Sequence, residues 1–419
     1  MHFGIISPPV SGHIHPFGAL GRELIRRGHR ISLVHMPDLA GRAQAEGLEF
    51  IGIGYSDHPS GSLSESLAEL ARLQGLSALR FTIRAIRGTT EMICRDAPGC
   101  IRAAGINALL VDQTEPAGGT VAEHLGLPFV TVCNALTLNR EPSVPPPFSG
   151  WSYRDDPLAR VRNRIGYAAS DRVMAPVTGV LREYRRKWNL NLHRKPDDSF
   201  STLAQISQLP QAFDFPRRGL PKCFEYVGPL RDDASAGPEF PWHRLDGRPL
   251  VYASLGTLQN RRERVFRCFA EACSTLPVQL VITHGGGLDE RAVAELPGEP
   301  LVVGYAPQRA VLARARLTLT HAGLNTVLDS LAHGVPLVAV PITYEQPAIA
   351  SRLRWSRTGR VLPLKNLTAT RLREVIKDVL SNTAYISGAA VVKRSIAEAG
   401  GVTRAANIVE RAVADFRAF

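Results

Sequence analysis

Short apolar runs alternate with longer helical patterns in both halves of this chain. His2–Ser7 reads as a strand, Phe17–Arg27 as a helix and Arg30–His35 as a strand again. Ala108–Asp112 and Pro128–Cys133 read as strands around a helix-like GGTVAEHLG. The rhythm implies a parallel sheet covered by helices on both faces. The second half repeats it: PLVYASLGT, VQLVITHGGG, PLVVGY and LTLTHAG read as strands, then comes a helix over Asn325–His333, then the strand VPLVAVP. Two α/β units, each a Rossmann-like doubly wound parallel sheet, account for this better than one large sheet.

The 419 residues, 44% of them apolar, suffice for two such cores. The units are expected over 1–222 and 246–400. Pro, Gly and Asp thicken between them, so 223–245 reads as the linker. The tail 401–419 is too short for a domain and is expected to pack back on the first unit. No apolar run is long enough to span a bilayer, and MHFGIISPP has neither a basic leader nor a cleavage pattern. A cytoplasmic protein is the expectation. None of the six cysteines sits in a CxxC, so they read as reduced, mostly buried thiols.

A net charge of +12 favours anionic partners: a phosphate-bearing ligand, nucleic acid or a membrane surface. Only 7% of residues are aromatic and none interleave with basic runs, which argues against nucleic acid.

Ligands of open parallel sheets gather at the carboxyl ends of strands, where helix N-termini offer free N–H groups. Three strand-end turns of the second half carry polar groups. In SLGT, Gly256 lets the backbone approach a ligand, and Ser254 and Thr257 offer hydroxyls. In HAGLNT, Ala322 and Gly323 leave room beside His321, and Asn325 and Thr326 open a helix. Helix capping by Asn325 or Thr326, and a structural His321, are the plainer readings. In ITYEQP, Glu345 and Gln346 follow a strand and suit hydroxyls, or else form an exposed helix start. Asp329 lies one turn after Asn325 on the same helix face, where a carboxylate accepts the two hydroxyls of a ribose. Tyr305 ends a strand and offers a stacking face for a base. Together the groups match one ligand: a base, a ribose, two phosphates and a sugar.

The segment YAPQ…THAGLNTVLDSLAHGVPLVAVPITYEQ, with YVGPL and SLGT before it, resembles the nucleotide-sugar signature of the UDP-glycosyltransferases, whose two facing Rossmann-like domains are the GT-B fold. The resemblance implies a role for each residue. Tyr305 stands where a Trp usually stacks on uracil, Ala306 offers its backbone to the base, and Gln308 lies near the nucleoside. His321, Asn325, Thr326 and Thr257 match diphosphate-contacting positions. Asp329 stands where plant members carry Glu for the ribose, and Glu345 and Gln346 match the pair that holds the sugar. Leu324 replaces a Trp of plant members.

Transfer to a hydroxyl needs a general base. In GHIHP the resemblance implies that His13, after the small Gly12, is that base, with His15 in place of the usual Asn. A catalytic His gains from a carboxylate on its other nitrogen. Asp112, at the end of a strand, is preferred for this over Glu115. The implied reaction is inverting transfer of a hexose, expected to be glucose, from a UDP-sugar to give a β-O-glycoside. No Asp-x-Asp motif and no metal-ligand cluster is present, so no metal is expected.

Acceptor-facing segments are expected at Leu63–Cys94 and Asn134–Trp151. Leu63, Leu67, Leu70, Leu73 and Leu76 form a helical stripe that fits either a core face or a pocket wall. The stretch DQTEPAGGTVAEHLGLPFVTVCNALTLNREPSVPPPF is similar to the bacterial carotenoid branch of the family, which implies an apolar hydroxylated acceptor. Residues 151–195 are strongly basic, and read either as a solvated helix face or as a contact with anionic lipid. A nucleotide-sugar epimerase and a catalytically silent nucleotide-sugar-binding helper are the rival readings. His13 and Asp112 facing Glu345 and Gln346 argue against the first, and the intact base and phosphate-contacting residues argue against the second.

Overall fold

The computed structural model describes residues 1–232, 237–257 and 260–418. The first half holds strands β1 His2–Ile6, β2 Arg30–His35, β3 Glu49–Gly52, β4 Ala108–Asp112, β5 Phe129–Cys133, β6 Gln205–Ser207 and β7 Phe224–Tyr226. Its helices are α1 Ser11–Arg26, α2 Ala40–Ala45, α3 Ser62–Arg72, α4 Gly75–Ala103, α5 Ala117–Leu125 and α6 Pro157–Lys187. The second half holds β8 Leu250–Ser254, β9 Gln279–Thr283, β10 Leu301–Val303, β11 Ala315–Thr320, β12 Leu337–Ala339 and β13 Gly359–Val361. Its helices are α7 Glu263–Cys273, α8 Glu290–Ala294, α9 Gln308–Leu312, α10 Leu324–Ala332, α11 Gln346–Trp355, α12 Ala369–Ser381, α13 Thr383–Ala399 and α14 Gly401–Ala418.

Each half is one parallel sheet. The first runs β3-β2-β1-β4-β5-β6-β7 and the second β10-β9-β8-β11-β12-β13. The apolar strand runs are buried on both faces, as parallel sheets require: β1, β4 and β8 are buried throughout. Strand order reverses between β1 and β4 in the first sheet and between β8 and β11 in the second. The crevice at such a switch point is where ligands bind. Register then sets the chemistry. Ile6 pairs with Val111, so the turn after β1 sits beside Asp112. Thr320 pairs with Ser254, so the turns after β11 and β8 are neighbours.

Three elements differ from the sequence expectation. The first helix begins at Ser11, so Gly12 and His13 lie in its first turn and not in a turn ahead of it. Residues 224–226, read as linker, pair with β6 and close the edge of the first sheet. The leucine stripe is not one helix face, because α3 ends at Arg72 and has no buried residue. Leu63 packs against the first-half core, Leu67 and Leu70 are half-buried, and Leu76 is exposed at the start of α4.

The halves are fastened by an apolar cluster that sets Leu136, Leu209 and Phe213 against Leu324, Leu328 and Leu353. Beside it, buried Asp214 accepts from Arg352 Nε at 2.9 Å and from Arg217 Nε at 3.0 Å. Helix α14 packs along α1, where Arg27 Nη1 meets Glu410 at 2.6 Å.

Candidate functional site

On the first-half side, His13 Nδ1 lies 2.8 Å from Asp112 Oδ2. The other carboxylate oxygen accepts from the Thr114 backbone at 2.8 Å and its hydroxyl at 2.6 Å. Asn134 Nδ2, at 2.9 Å, donates to the oxygen that faces His13. Asp112 is therefore buried yet held on both oxygens. Burial alone would raise its pKa, but His13 and the Thr114 donors outweigh this and hold it below the usual carboxylate range. Burial pushes the His13 imidazolium down, and Asp112, Glu345 and Glu115 together push it above its ordinary value. With Nδ1 committed to Asp112, Nε2 is the nitrogen left to take a proton.

Glu115, the alternative partner, points elsewhere. Its Oε1 accepts from Ala117 N at 3.3 Å, and burial drives its pKa up to about 8. His15 is exposed and pairs with Glu46, which also holds Arg22 at 2.7 Å.

On the second-half side, α10 starts at Gly323 without any side-chain cap. Asn325 and Thr326 are not caps. Asn325 Nδ2 instead reaches across the cleft to the Gly12 carbonyl at 2.9 Å, and Thr326 Oγ1 lies 3.4 Å from Gln308 Oε1. The helix start thus presents uncapped N–H groups to the cleft, an anion-receptive arrangement. His321 is buried beside it and bonds the Ser254 backbone; burial drives its pKa down to about 4, so it is neutral. Gly323 has no room for a side chain: an added Cβ would sit 2.5 Å from His321 Cε1. Ala322, between them, adopts a left-handed φ of 69°. Gly256 also has a left-handed φ, 68°, its N–H donates to Ser254 Oγ at 3.2 Å, and Thr257 is exposed next to it.

Around Asp329, Gln308 Nε2 donates to Asp329 Oδ2 at 2.7 Å, and Tyr252 Oη donates to Gln308 Oε1 at 3.1 Å. Tyr305 is 60% exposed, a free face beside the half-buried Ala306. Glu345 faces His13 closely enough to raise its pKa. The buried Gln346 uses Oε1 to accept from Ile342 N and Thr343 N at 2.8 and 2.9 Å, so its carbonyl oxygen shapes the loop. Leu324, the departure from the plant pattern, is buried in the apolar cluster between the halves.

Sequence reasoning missed Arg231, Asn134 and Gln208. Arg231 Nε bonds Asp329 Oδ1 and Nη2 bonds Asn325 Oδ1, both at 2.9 Å. Gln208 donates to the Asn134 carbonyl. Asn134 and Gln208 follow the ends of β5 and β6, a placement that the strand-end rule could have flagged. Arg231 lies past β7 and carried no local signal.

The family model for UDP-glucoronosyl and UDP-glucosyl transferases matches residues 86–394. The chain is 36% identical to a zeaxanthin glucosyltransferase of Pantoea ananas, over 98% of this chain and 95% of that one. It is 25% identical to the NDP-glycosyltransferase YjiC of Bacillus subtilis (strain 168), over 98% and 96%. The solved structure of CalG4, the calicheamicin glycosyltransferase, superposes with a TM-score of 0.77 at 24% identity, covering 99% of this chain and 98% of that one.

Proposed function

Since the chain belongs to the UDP-glucoronosyl and UDP-glucosyl transferase family, we propose that it moves glucose from UDP-glucose to the hydroxyl of a carotenoid-like alcohol, with inversion to a β-glycoside. His13 Nε2 takes the acceptor proton while the acceptor oxygen bonds the anomeric carbon and the bond from that carbon to the diphosphate breaks. Asp112 keeps the ring oriented and offsets the charge that develops on it. The departing diphosphate is met by the uncapped start of α10, with His321, Asn325, Thr326, Ser254, Gly256 and Thr257 around it. Tyr305, Ala306, Gln308 and Asp329 hold the nucleoside, and Glu345 and Gln346 hold the sugar.

The single observation that carries the reading is the His13–Asp112 pair at 2.8 Å facing the second-half helix start, with Asn325 tied to Gly12 between them. An apolar acceptor is supported by the half-buried Leu63, Leu67 and Leu70 of α3 and by the zeaxanthin glucosyltransferase relatives. No helix among the described residues is long and apolar enough to cross a membrane. A lipid-soluble acceptor therefore calls for peripheral work at the inner membrane face.

The test is transfer from UDP-glucose, UDP-galactose, UDP-N-acetylglucosamine and dTDP-glucose to phenolic and carotenoid alcohols, read by mass spectrometry. A hexose adduct formed best from UDP-glucose on a carotenoid alcohol is expected. UDP release without glycoside overturns the reading in favour of a hydrolytic or silent protein.

A further inference from the structure

Helix α6 buries Val177, Val180 and Leu181 on its inward face but also carries large apolar residues on its outward one. Leu158, Val161 and Ile165 are 80, 50 and 65% exposed. Their spacing of three and four residues puts them on one helix face. Ala168, Ala169 and Pro176, all exposed, continue that face. The opposite face is already used. Asn163, Gly166 and Tyr167 pack on the Pro-rich loop, where Asn163 Nδ2 donates to the Pro142 carbonyl at 2.9 Å and Tyr167 Oη to the Val144 carbonyl at 3.1 Å. The outward stripe is therefore not a core face left over by a loose fit.

The charges beside the stripe are unusual too. Arg164 and Arg172 flank it, and Arg182 and Arg186 follow; among the described residues none of the four has a carboxylate or hydrogen-bond partner. The nearby acid Asp171 is committed to Arg140 at 2.6 Å. Elsewhere among the described residues arginines are mostly paired, apart from a second unpaired group, Arg80, Arg84 and Arg87, near the exposed Leu76 and Leu79 of α4.

We propose that the outward face of α6 docks the protein on an anionic lipid bilayer, Leu158, Val161 and Ile165 entering the headgroup boundary while Arg164 and Arg172 contact lipid phosphates. This rests on the reading of a lipid-soluble acceptor but names the surface that reading leaves open. A second copy of the chain fits less well: a two-fold contact sets the same patch on both partners, and would bring unpaired arginines against each other. Nucleic acid would satisfy the arginines but gains nothing from exposed Leu, Val and Ile.

The experiment is co-sedimentation of the full chain with phosphatidylcholine vesicles, with and without phosphatidylglycerol, at low and high salt. Binding only to the phosphatidylglycerol vesicles, lost at high salt, is expected. The variants are Leu158→Ser with Val161→Ser and Ile165→Ser, and Arg164→Glu with Arg172→Glu. Each should weaken vesicle binding roughly tenfold or more and leave transfer to a water-soluble phenol unchanged, which also reports that they fold. Wild-type protein that stays in the supernatant with anionic vesicles at low salt overturns the proposal. So does unaltered binding by both variants, or a solution dimer that the serine variant splits. Vesicle binding as expected with no glycosylation of a carotenoid alcohol held in those vesicles supports the docking face and fails the acceptor reading instead.

Discussion

Asn325, in the first turn of α10, donates from Nδ2 to the carbonyl of Gly12 in α1 at 2.9 Å, across the cleft between the two halves. The carbonyl is available because residue 16 is a proline. In an α-helix the Gly12 oxygen would accept from the N–H of residue 16, and Pro16 has none. A helix irregularity visible in the sequence thus becomes the bond that holds the His13-bearing turn against the start of α10. It is one ordinary hydrogen bond of about 0.5–1.5 kcal/mol, so it positions and does not lock.

Replacing Asn325 with Ala removes this bond and one partner of Arg231. Donor KM should rise about fivefold or more, with a fall in kcat as His13 loses its placement. Initial rates over a donor series, with isothermal titration of UDP, separate the two effects. Unchanged values of both would count against the contact as a positioning device.

His13→Ala should lower kcat by roughly 10²–10⁴-fold, the usual share of a general base, and leave UDP affinity within about twofold, as the α10 site is untouched. Single-turnover transfer and UDP titration decide it. A wild-type rate in the alanine variant removes His13 from the mechanism.

The acid limb of the kcat/KM profile should report His13, because only the neutral ring accepts a proton. Asp112 holds its pKa above the ordinary imidazole value, so activity should fall on acidification from a point higher than for a free histidine. Asp112→Asn removes that charge. The limb should move to lower pH while the plateau drops about a hundredfold or more. A limb that stays in place assigns it to another group.

Arg231→Ala leaves the buried Asp329 carboxylate without its cation. Donor KM should rise about fivefold or more, and Arg231→Lys should rescue only part of it, since a single ammonium nitrogen lacks the planar fork that reaches Asp329 and Asn325 from two separate nitrogens. Full rescue by Lys would show that charge alone matters.

Glu115 carries a folded-state pKa of about 8, above its unfolded value. Through that window the native state holds the extra proton, so stability falls as pH rises. Glu115→Gln should flatten the decline of Tm between about pH 5 and pH 8 and stabilise the protein most at the alkaline end. An equal decline in the variant would place the titrating group elsewhere.

Most of the fold was legible because parallel strands announce themselves as buried apolar runs. β1, β2, β4, β5, β8, β9, β10, β11 and β12 all lie within such runs. The strands β3, β6, β7 and β13 have only three or four residues and lack the flanking apolar run that marks the equally short β10 and β12, and β7 was hidden in a stretch read as linker. The start of α1 reads as Phe17, after Pro16, whereas the helix begins at Ser11 and tolerates a proline whose missing bond is replaced from outside.

The site divides the same way. Residues at or after strand ends, His13, Asp112, Ser254, His321 and Asn325, could be named as candidates because a switch-point crevice collects whatever ends its strands, and the family resemblance singled out His13 and Asp112 among them. What only the tertiary structure decided is how they are spent. Asn325 crosses the cleft in place of capping its own helix, Gln346 braces a loop with its oxygen, and Leu324 fills the core between the halves. Arg231 ties Asp329 to Asn325 from the far side of the first sheet. Partners distant in sequence leave no periodic trace in it, and a polar side chain takes whichever partner burial makes costly to leave unpaired.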